Sequence, residues 1–255
     1  MQSAEITRVS ERHWHALDDD QVVGRGEVWR RPDGRSFLSI DAWHGTVFDR
    51  LAGAMLPTLP KPLYTVVDED DLDLLSQWER LGFGPRRREW ELVVPTGVVP
   101  ASSPGVTVLS AGAAEESGVT VLSAGAAEEE PLRELDRAIR AEVDATVGWH
   151  NMPAEIFHLQ DASRYAVAVD DGRYVGLARV APIPRRPRIG LIAVRAGHRR
   201  RGIGRALLAE VLTAAHRAGA ATVAAEVHQS NTAALALFEG FGARRESSNL
   251  ELVLR

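Results

Sequence analysis

Ile189-Gly190-Leu191-Ile192-Ala193-Val194 is a β-type run, and Gly204 to Leu208 opens an amphipathic helical pattern. Between them stands Arg199-Arg200-Arg201-Gly202-Ile203-Gly204-Arg205. A strand that passes into a helix through a segment this short and glycine-rich is confined to a strand-loop-helix unit. Glycines at 202 and 204 remove the Cβ atoms that would hold a ligand off the backbone, and the helix start adds about half a positive charge. The loop is therefore expected to cradle a pyrophosphate. A dinucleotide-binding fingerprint would need Gly-x-Gly-x-x-Gly in the first strand-helix turn, and a nucleoside-triphosphate loop would need Gly-Lys-Ser/Thr after the glycines. The chain has neither.

One helix and one strand further on comes Glu226-Val227-x-x-x-Asn231-x-x-Ala234-x-x-Leu237-Phe238-x-x-x-Gly242. Together with Arg199-x-x-Gly202-x-Gly204 this resembles the GNAT family of acyl-CoA-dependent N-acyltransferases, over residues 118 to 255. The order of elements agrees with that family: strand 119–122, helix 131–145, strands 165–169 and 174–180 joined by Asp170-Asp171-Gly172, strand 189–194, the loop, helix 204–218, strand 222–227, helix 232–240 and strand 249–254. The implied fold is α/β (α+β), a mixed and mostly antiparallel sheet with helices on both faces. The implied co-substrate is acetyl-CoA, with no metal.

The resemblance also assigns roles. Ile192, Ala193 and Val194 would pair with the pantetheine arm, an N-H at Ile192 facing the thioester oxygen. Arg199, Arg200, Arg201, Gly202, Ile203, Gly204 and Arg205 would hold the pyrophosphate, with Asn231 and Phe238 also against the coenzyme. Glu226 matches the family's general base. Alternation sets it on the face of its strand opposite Val223, Ala225 and Val227, where it is either that base or half of a structural ion pair. Phe238 departs from the pattern, since many members carry a tyrosine there as general acid; water, Tyr165 or Tyr174 remain as proton sources. Trp149, His150, Met152 and Phe157 occupy the acceptor-binding segment and are either an aromatic wall for an amine or plain core.

The first 96 residues carry a second, broken copy. Shifted by 152, Asp18-Asp19 falls on Asp170-Asp171, Val23-Gly24 on Val175-Gly176, Phe37 on Ile189 and Ile40 on Ile192. Shifted by 160, Val47-Phe48 falls on Leu207-Leu208, Asp71 on Asn231, Trp78 on Phe238, Gly82 on Gly242 and Glu91-Leu92-Val93 on Glu251-Leu252-Val253. The change of shift places an eight-residue deletion between Trp43 and Thr46, where the phosphate loop would be. The expected organisation is a degenerate copy (1–96), a linker (97–117) and the coenzyme-binding domain (118–255), as in tandem GNAT proteins. A literal repeat, 105–116 recurring as 118–129, is a recent duplication or an artefact. The second copy is expected to be the domain's first strand, the first either lengthening the linker or competing for the same sheet position.

With no cysteine, the chain has no disulfide, thiolate metal site or cysteine nucleophile, and its eight histidines show no metal-like grouping. A formal net charge of -5 argues against nucleic acid, although Arg185, Arg186, Arg188, Arg195, Arg199, Arg200, Arg201 and Arg205 cluster around the loop. Nothing near Met1 has a signal peptide's apolar core and no run would span a membrane, so a cytoplasmic monomer or homodimer is expected. The expected function is transfer of an acetyl group to a primary amine of a small molecule, peptide or protein. The alternatives are a relative of mycothiol synthase, itself a tandem GNAT enzyme, or an acyl-CoA-binding regulator without turnover.

Overall fold

The computed structural model describes residues 4–31, 33–97, 119–146, 161–181, 183 and 186–255, with the backbone alone at 106–109. Strands β1 (Glu5–Arg8), β2 (His13–Asp18), β3 (Gln21–Arg30) and β4 (Ser36–Ala42) are followed by α1 (Gly45–Met55), β5 (Leu63–Asp68), α2 (Leu72–Arg80) and β6 (Gly84–Pro95). Then come β7 (Val106–Leu109), β8 (Val119–Leu122), α3 (Glu129–Asp144), β9 (Tyr165–Asp170), β10 (Arg173–Ala181) and β11 (Arg188–Val194). The chain ends with α4 (Ile203–Arg217), β12 (Thr222–His228), α5 (Thr232–Glu239) and β13 (Arg244–Leu254). It divides into two compact units, Met1–Glu89 with Ser247–Arg255, and Trp90–Glu246.

In the first unit β1 to β4 form an antiparallel meander, β4 joins β5 in parallel at Ser36↔Leu63 and Phe37↔Tyr64, and β5 pairs antiparallel with Asn249–Leu254 of β13. The β2–β3 turn is built on Asp19 and Asp20 at φ 46° and 60°. Positive φ at both central residues is what a type I′ hairpin requires. A bulge at Val23 follows, since Leu17 pairs with Val22 but Ala16 pairs with Gly24. The core gathers Trp14, Leu38, Ile40, Phe48, Leu51, Met55 and Trp78 around α1. Trp78 meets the edges of Phe48 and Phe83 at 4.9 and 4.8 Å between ring centroids.

The second unit repeats this plan. Its strands run β6-β12-β11-β10-β9-β8-β7, with β11 parallel to β12 and antiparallel pairing from β8 to β11. Asp171 and Gly172 at φ 50° and 70° build the β9–β10 turn, and the bulge recurs at Val175. Gly176 repeats the role of Gly24: an added Cβ would stand 3.2 Å from Leu207 Cδ1 at one and 2.7 Å from Val47 Cγ1 at the other, so each helix lies close on its hairpin. Helix α4 covers one face with Ile203, Leu207 and Val211, while α3 covers the other with Leu132, Leu135 and Ile139 against Tyr165, Val167 and Leu177. Helices on both faces of a mostly antiparallel sheet are the architecture the sequence implied.

The units divide the chain differently from the expected 1–96, 97–117 and 118–255, because each ends in the other copy's last strand. Leu92 and Val94 of β6 lie in one core with Val223, Ala225 and Val227. Leu250, Leu252 and Leu254 of β13 lie in the other, with Phe48 and Trp78. Both strands carry Glu-Leu-Val, so local pattern does not distinguish their destinations. Each glutamate meets arginine in its unit: Glu91 accepts from Arg186 Nη2 at 2.7 Å, and Glu251 from Arg35 Nη1 at 2.9 Å and from Arg86. Burial pushes the Asp33 carboxyl up, but the Arg35 N-H and guanidinium outweigh it and hold it below the ordinary range. The upstream copy of the repeat does not compete for the place of β8. Val106–Leu109 lies parallel and in register beside Val119–Leu122, identical residue opposite identical residue.

Two stability measurements test these assignments. Deleting residues 105–117 removes β7 but leaves β8 paired with β9, and the melting temperature is expected to move by less than about 5 °C. Glu251→Ala leaves the buried Arg35 with Asp33 as its remaining carboxylate and is expected to cost about 2–3 kcal/mol in denaturant unfolding.

Candidate functional site

Strand β11 pairs with β12 at Arg188↔Ala224 and Ile189↔Ala225, ahead of Ile192. From Ile192 to Val194 its partner is β10, at Ala178, Leu177 and Gly176. A bulge at Gly190, opposite Arg179, shifts the alternation: Ile189, Ile192 and Val194 pack on the α4 side, Leu191 and Ala193 on the α3 side. The buried guanidinium of Arg179 rests on that bulge, where an added Cβ would stand 2.6 Å from Nη2.

Beyond Val194 a single 3-10 turn, Ala196–His198, leads into the loop. Arg200 has φ +64° and Gly202, the N-cap of α4, has φ +81°. Positive φ at positions 200 and 202, two residues apart, is the kind of backbone from which an anion-binding nest is built, and it lies at the positive end of a fifteen-residue helix. The strand, loop and helix expected around Arg199–Gly204 are thus in place, with α4 beginning at Ile203.

The loop's arginines do not all face the same way. Glu142 of α3 accepts from Arg195 Nε at 2.7 Å and from the Ala196 N-H at 2.9 Å, and lies 3.5 Å from Arg199 Nη2. Burial pushes the Glu142 carboxyl up, but Arg195, the Ala196 N-H and Arg199 together hold it below the usual glutamate range. Arg199 Nε also donates to Val194 O at 3.1 Å. Asp170, at the end of β9, takes Arg201 Nη1 at 2.7 Å, with His198 Nε2 at 3.6 Å. Arg205 lies over the Phe241 ring, 5.1 Å from its centroid. Arg200 is exposed, with no ion pair among the described residues. Arg186, part of the basic cluster in sequence, instead binds Glu91 and Glu246.

Glu226 lies on the face of β12 opposite Val223, Ala225 and Val227, and Arg188 Nη2 is 2.5 Å from its Oε2. Asn231 is the N-cap of α5, its Oδ1 accepting from Ala234 N at 3.1 Å. Its counterpart Asp71 caps α2 in the same way through Leu74 N at 3.0 Å. Phe238 is a core side chain, 4% exposed, beside Phe241. Of the two tyrosines considered as proton donors, Tyr165 is buried against α3 and the Tyr174 hydroxyl accepts from the Glu128 N-H at 3.0 Å. Trp149, His150, Met152, Phe157 and Arg185 lie outside the described residues. Glu142 was not foreseen, and Asp170 and Arg188 were singled out only as a turn residue and as part of the basic cluster; no spacing marks the three as partners of Arg195, Arg201 and Glu226.

The first unit has the frame without these groups. Only Trp43 and His44 separate β4 from α1, and Val66 stands where the second copy has Glu226.

Residues 130–243 match the acetyltransferase (GNAT) family, and this part of the chain belongs to it. No curated protein matches the chain in sequence. Among solved structures, a GCN5-related N-acetyltransferase from Sphaerobacter thermophilus superposes with a TM-score of 0.66 at 17% identity, over 97% of this chain and 82% of that one. A tandem GNAT protein from the clavulanic acid biosynthesis pathway gives 0.65 at 15% identity, over 95% and 82%. A GCN5-related N-acetyltransferase from Kribbella flavida gives 0.58 at 18% identity, over 99% and 90%. At these identities the likeness is one of fold, and it extends over nearly the whole chain: a GNAT domain preceded by a GNAT-like copy.

The cap at Asn231 carries a simple expectation. Asn231→Ala should lower unfolding stability by about 1 kcal/mol and Asn231→Asp should leave it nearly unchanged, measured by chemical denaturation.

Proposed function

We propose that the chain is an N-acetyltransferase that moves an acetyl group from acetyl-CoA to a primary amine of a small molecule, peptide or protein. The observation that carries this reading is the nest at Arg200–Gly202, set between β11 and the N-terminus of α4 in a domain of the GNAT family. A diphosphate there would neutralise the helix terminus and the arginines around it. The backbone of Ile192–Val194, past the last parallel pairs with β12, would carry the pantetheine arm. An N-H at Ile192 would then polarise the thioester carbonyl, stabilising the oxyanion as the amine attacks.

In this reading Glu226 takes the proton from the ammonium, directly or through water. Arg188 holds that carboxylate now, so an incoming cationic amine must compete with the guanidinium for it. With Phe238 in the core, no side chain of α5 offers a proton to the departing thiolate at that position. Among the described residues no helix is long and apolar enough to cross a membrane, and we read the acceptor as a diffusible amine met in the cytoplasm by a monomer or homodimer. A second reading, an acyl-CoA-responsive binder without turnover, is favoured by the same two features, the phenylalanine and the occupied carboxylate.

Coenzyme A should raise the melting temperature, and thioester consumption across an amine panel then separates enzyme from binder. No thermal shift with coenzyme A would overturn both readings. Glu226→Gln should lower kcat by about 100-fold or more, most at low pH where the amine arrives protonated, and leave coenzyme affinity nearly intact. Unchanged kinetics would remove Glu226 from the chemistry.

A further inference from the structure

We propose that Glu142 is a positioning residue for the acyl donor, an inference that rests on the reading of the Arg199–Arg205 loop as a coenzyme A site. Its side chain reaches from the last turn of α3 to the entry of that loop, where it holds two groups at hydrogen-bond distance, Arg195 Nε at 2.7 Å and the Ala196 N-H at 2.9 Å. A third group, Arg199 Nη2, stands at 3.5 Å. The carboxylate is half-buried, 23% exposed, so these contacts are screened less than a surface pair would be.

The placement decides what Glu142 does. Its two short contacts fall on Arg195 and Ala196, ahead of the Arg200–Gly202 nest, and the contact nearest the nest is the longest. It therefore anchors the loop without filling the nest. On the far side Asp170 holds Arg201 at 2.7 Å. Two carboxylates from two separate elements thus hold the loop on either side of Arg200 in sequence, Glu142 through the Ala196 N-H and the Arg195 side chain and Asp170 through the Arg201 side chain, and Arg200 between them has φ +64°.

The same contacts sort the arginines. Five of them, at 195, 199, 200, 201 and 205, lie within eleven residues and repel one another. Glu142 and Asp170 act as built-in counter-ions for Arg195, Arg199 and Arg201, which leaves Arg200 and Arg205 to meet phosphate. Without Glu142 the Ala196 N-H and Arg195 lose their acceptor and the loop's entry can pivot. The diphosphate must then order the loop as it binds.

The test is calorimetric titration of coenzyme A into the full-length protein, which needs no knowledge of the acceptor. Glu142→Ala is expected to weaken binding about tenfold, the scale of one charge-assisted hydrogen bond at a partly exposed site. Glu142→Gln keeps an acceptor for the Ala196 N-H and should weaken it about threefold, and it reports if the alanine variant does not fold. Arg195→Met should also weaken binding, and the double variant Glu142→Ala/Arg195→Met should bind no more weakly than Glu142→Ala alone. With an accepted amine, KM for acetyl-CoA should rise while kcat at saturating donor stays within about twofold. Binding by Glu142→Ala equal to or tighter than wild type overturns the proposal, as do additive losses in the double variant or a fall in kcat with KM unchanged. Failure of the wild type itself to bind coenzyme A is a different result, since it removes the coenzyme reading on which the proposal stands.

Discussion

Asn249 to Leu254 run antiparallel to Leu63–Asp68, and through that pairing the first unit acquires Leu250, Leu252 and Leu254 as part of its core. Fully burying a leucine contributes about 2 kcal/mol, so the three together rival the whole net stability of a small domain. The reciprocal holds for Leu92 and Val94, which complete the core around β12. The first core therefore does not close on one contiguous stretch of chain, whereas the second closes within Trp90–Glu246. The partner of β5 comes from the far end of the chain, so its pairing waits on the ends of a very long loop, and the folding of the two units is linked for that reason.

On this frame the two copies have kept the elements that packing demands and diverged where chemistry is at stake. Both keep a positive-φ turn, a bulge one residue before a glycine, a helix laid close on that glycine and a side-chain cap on the next helix. These answer to backbone sterics and to burial, which are alike in both copies. The first has lost the loop and carries Val66 where the second has Glu226. Its Phe37 and Tyr64 stack at 5.3 Å on adjacent strands, with the Arg31 and Arg35 guanidiniums over the Phe37 ring. Packing stands there in place of the loop and the carboxylate of the second copy.

In the second unit the loop is held by charge as much as by shape. Glycine at 202 and the left-handed backbone at Arg200 form the nest, but the arginines around it would scatter without acceptors. Glu142 and Asp170 supply them, and Arg188 does the converse for Glu226. Most charges of the site are therefore paired with one another, while Arg200 and Arg205 stand outside these ion pairs, and in the proposed reading a cationic acceptor would have to displace Arg188 from Glu226.

Much of this was legible in the sequence alone. Hydrophobic period and turn residues indicated most elements and the class of fold, the Arg-x-x-Gly-x-Gly and Glu-Val-x-x-x-Asn motifs carried the resemblance to the family, and the shifted self-match exposed the missing loop of the first copy, because each is a pattern of residue types along the chain. Three things were settled only by tertiary structure. One is the destination of β6 and β13, whose Glu-Leu-Val patterns suit either core, so the choice lies in long-range pairing. Another is the duplicated Val-Thr-Val-Leu strand, which local pattern allowed to sit in the linker or in place of its twin and which the sheet instead receives at its edge. The last is the partner of each charge, Glu142 for Arg195 and Arg188 for Glu226, because an ion pair depends on distance in space and leaves no periodic trace along the chain.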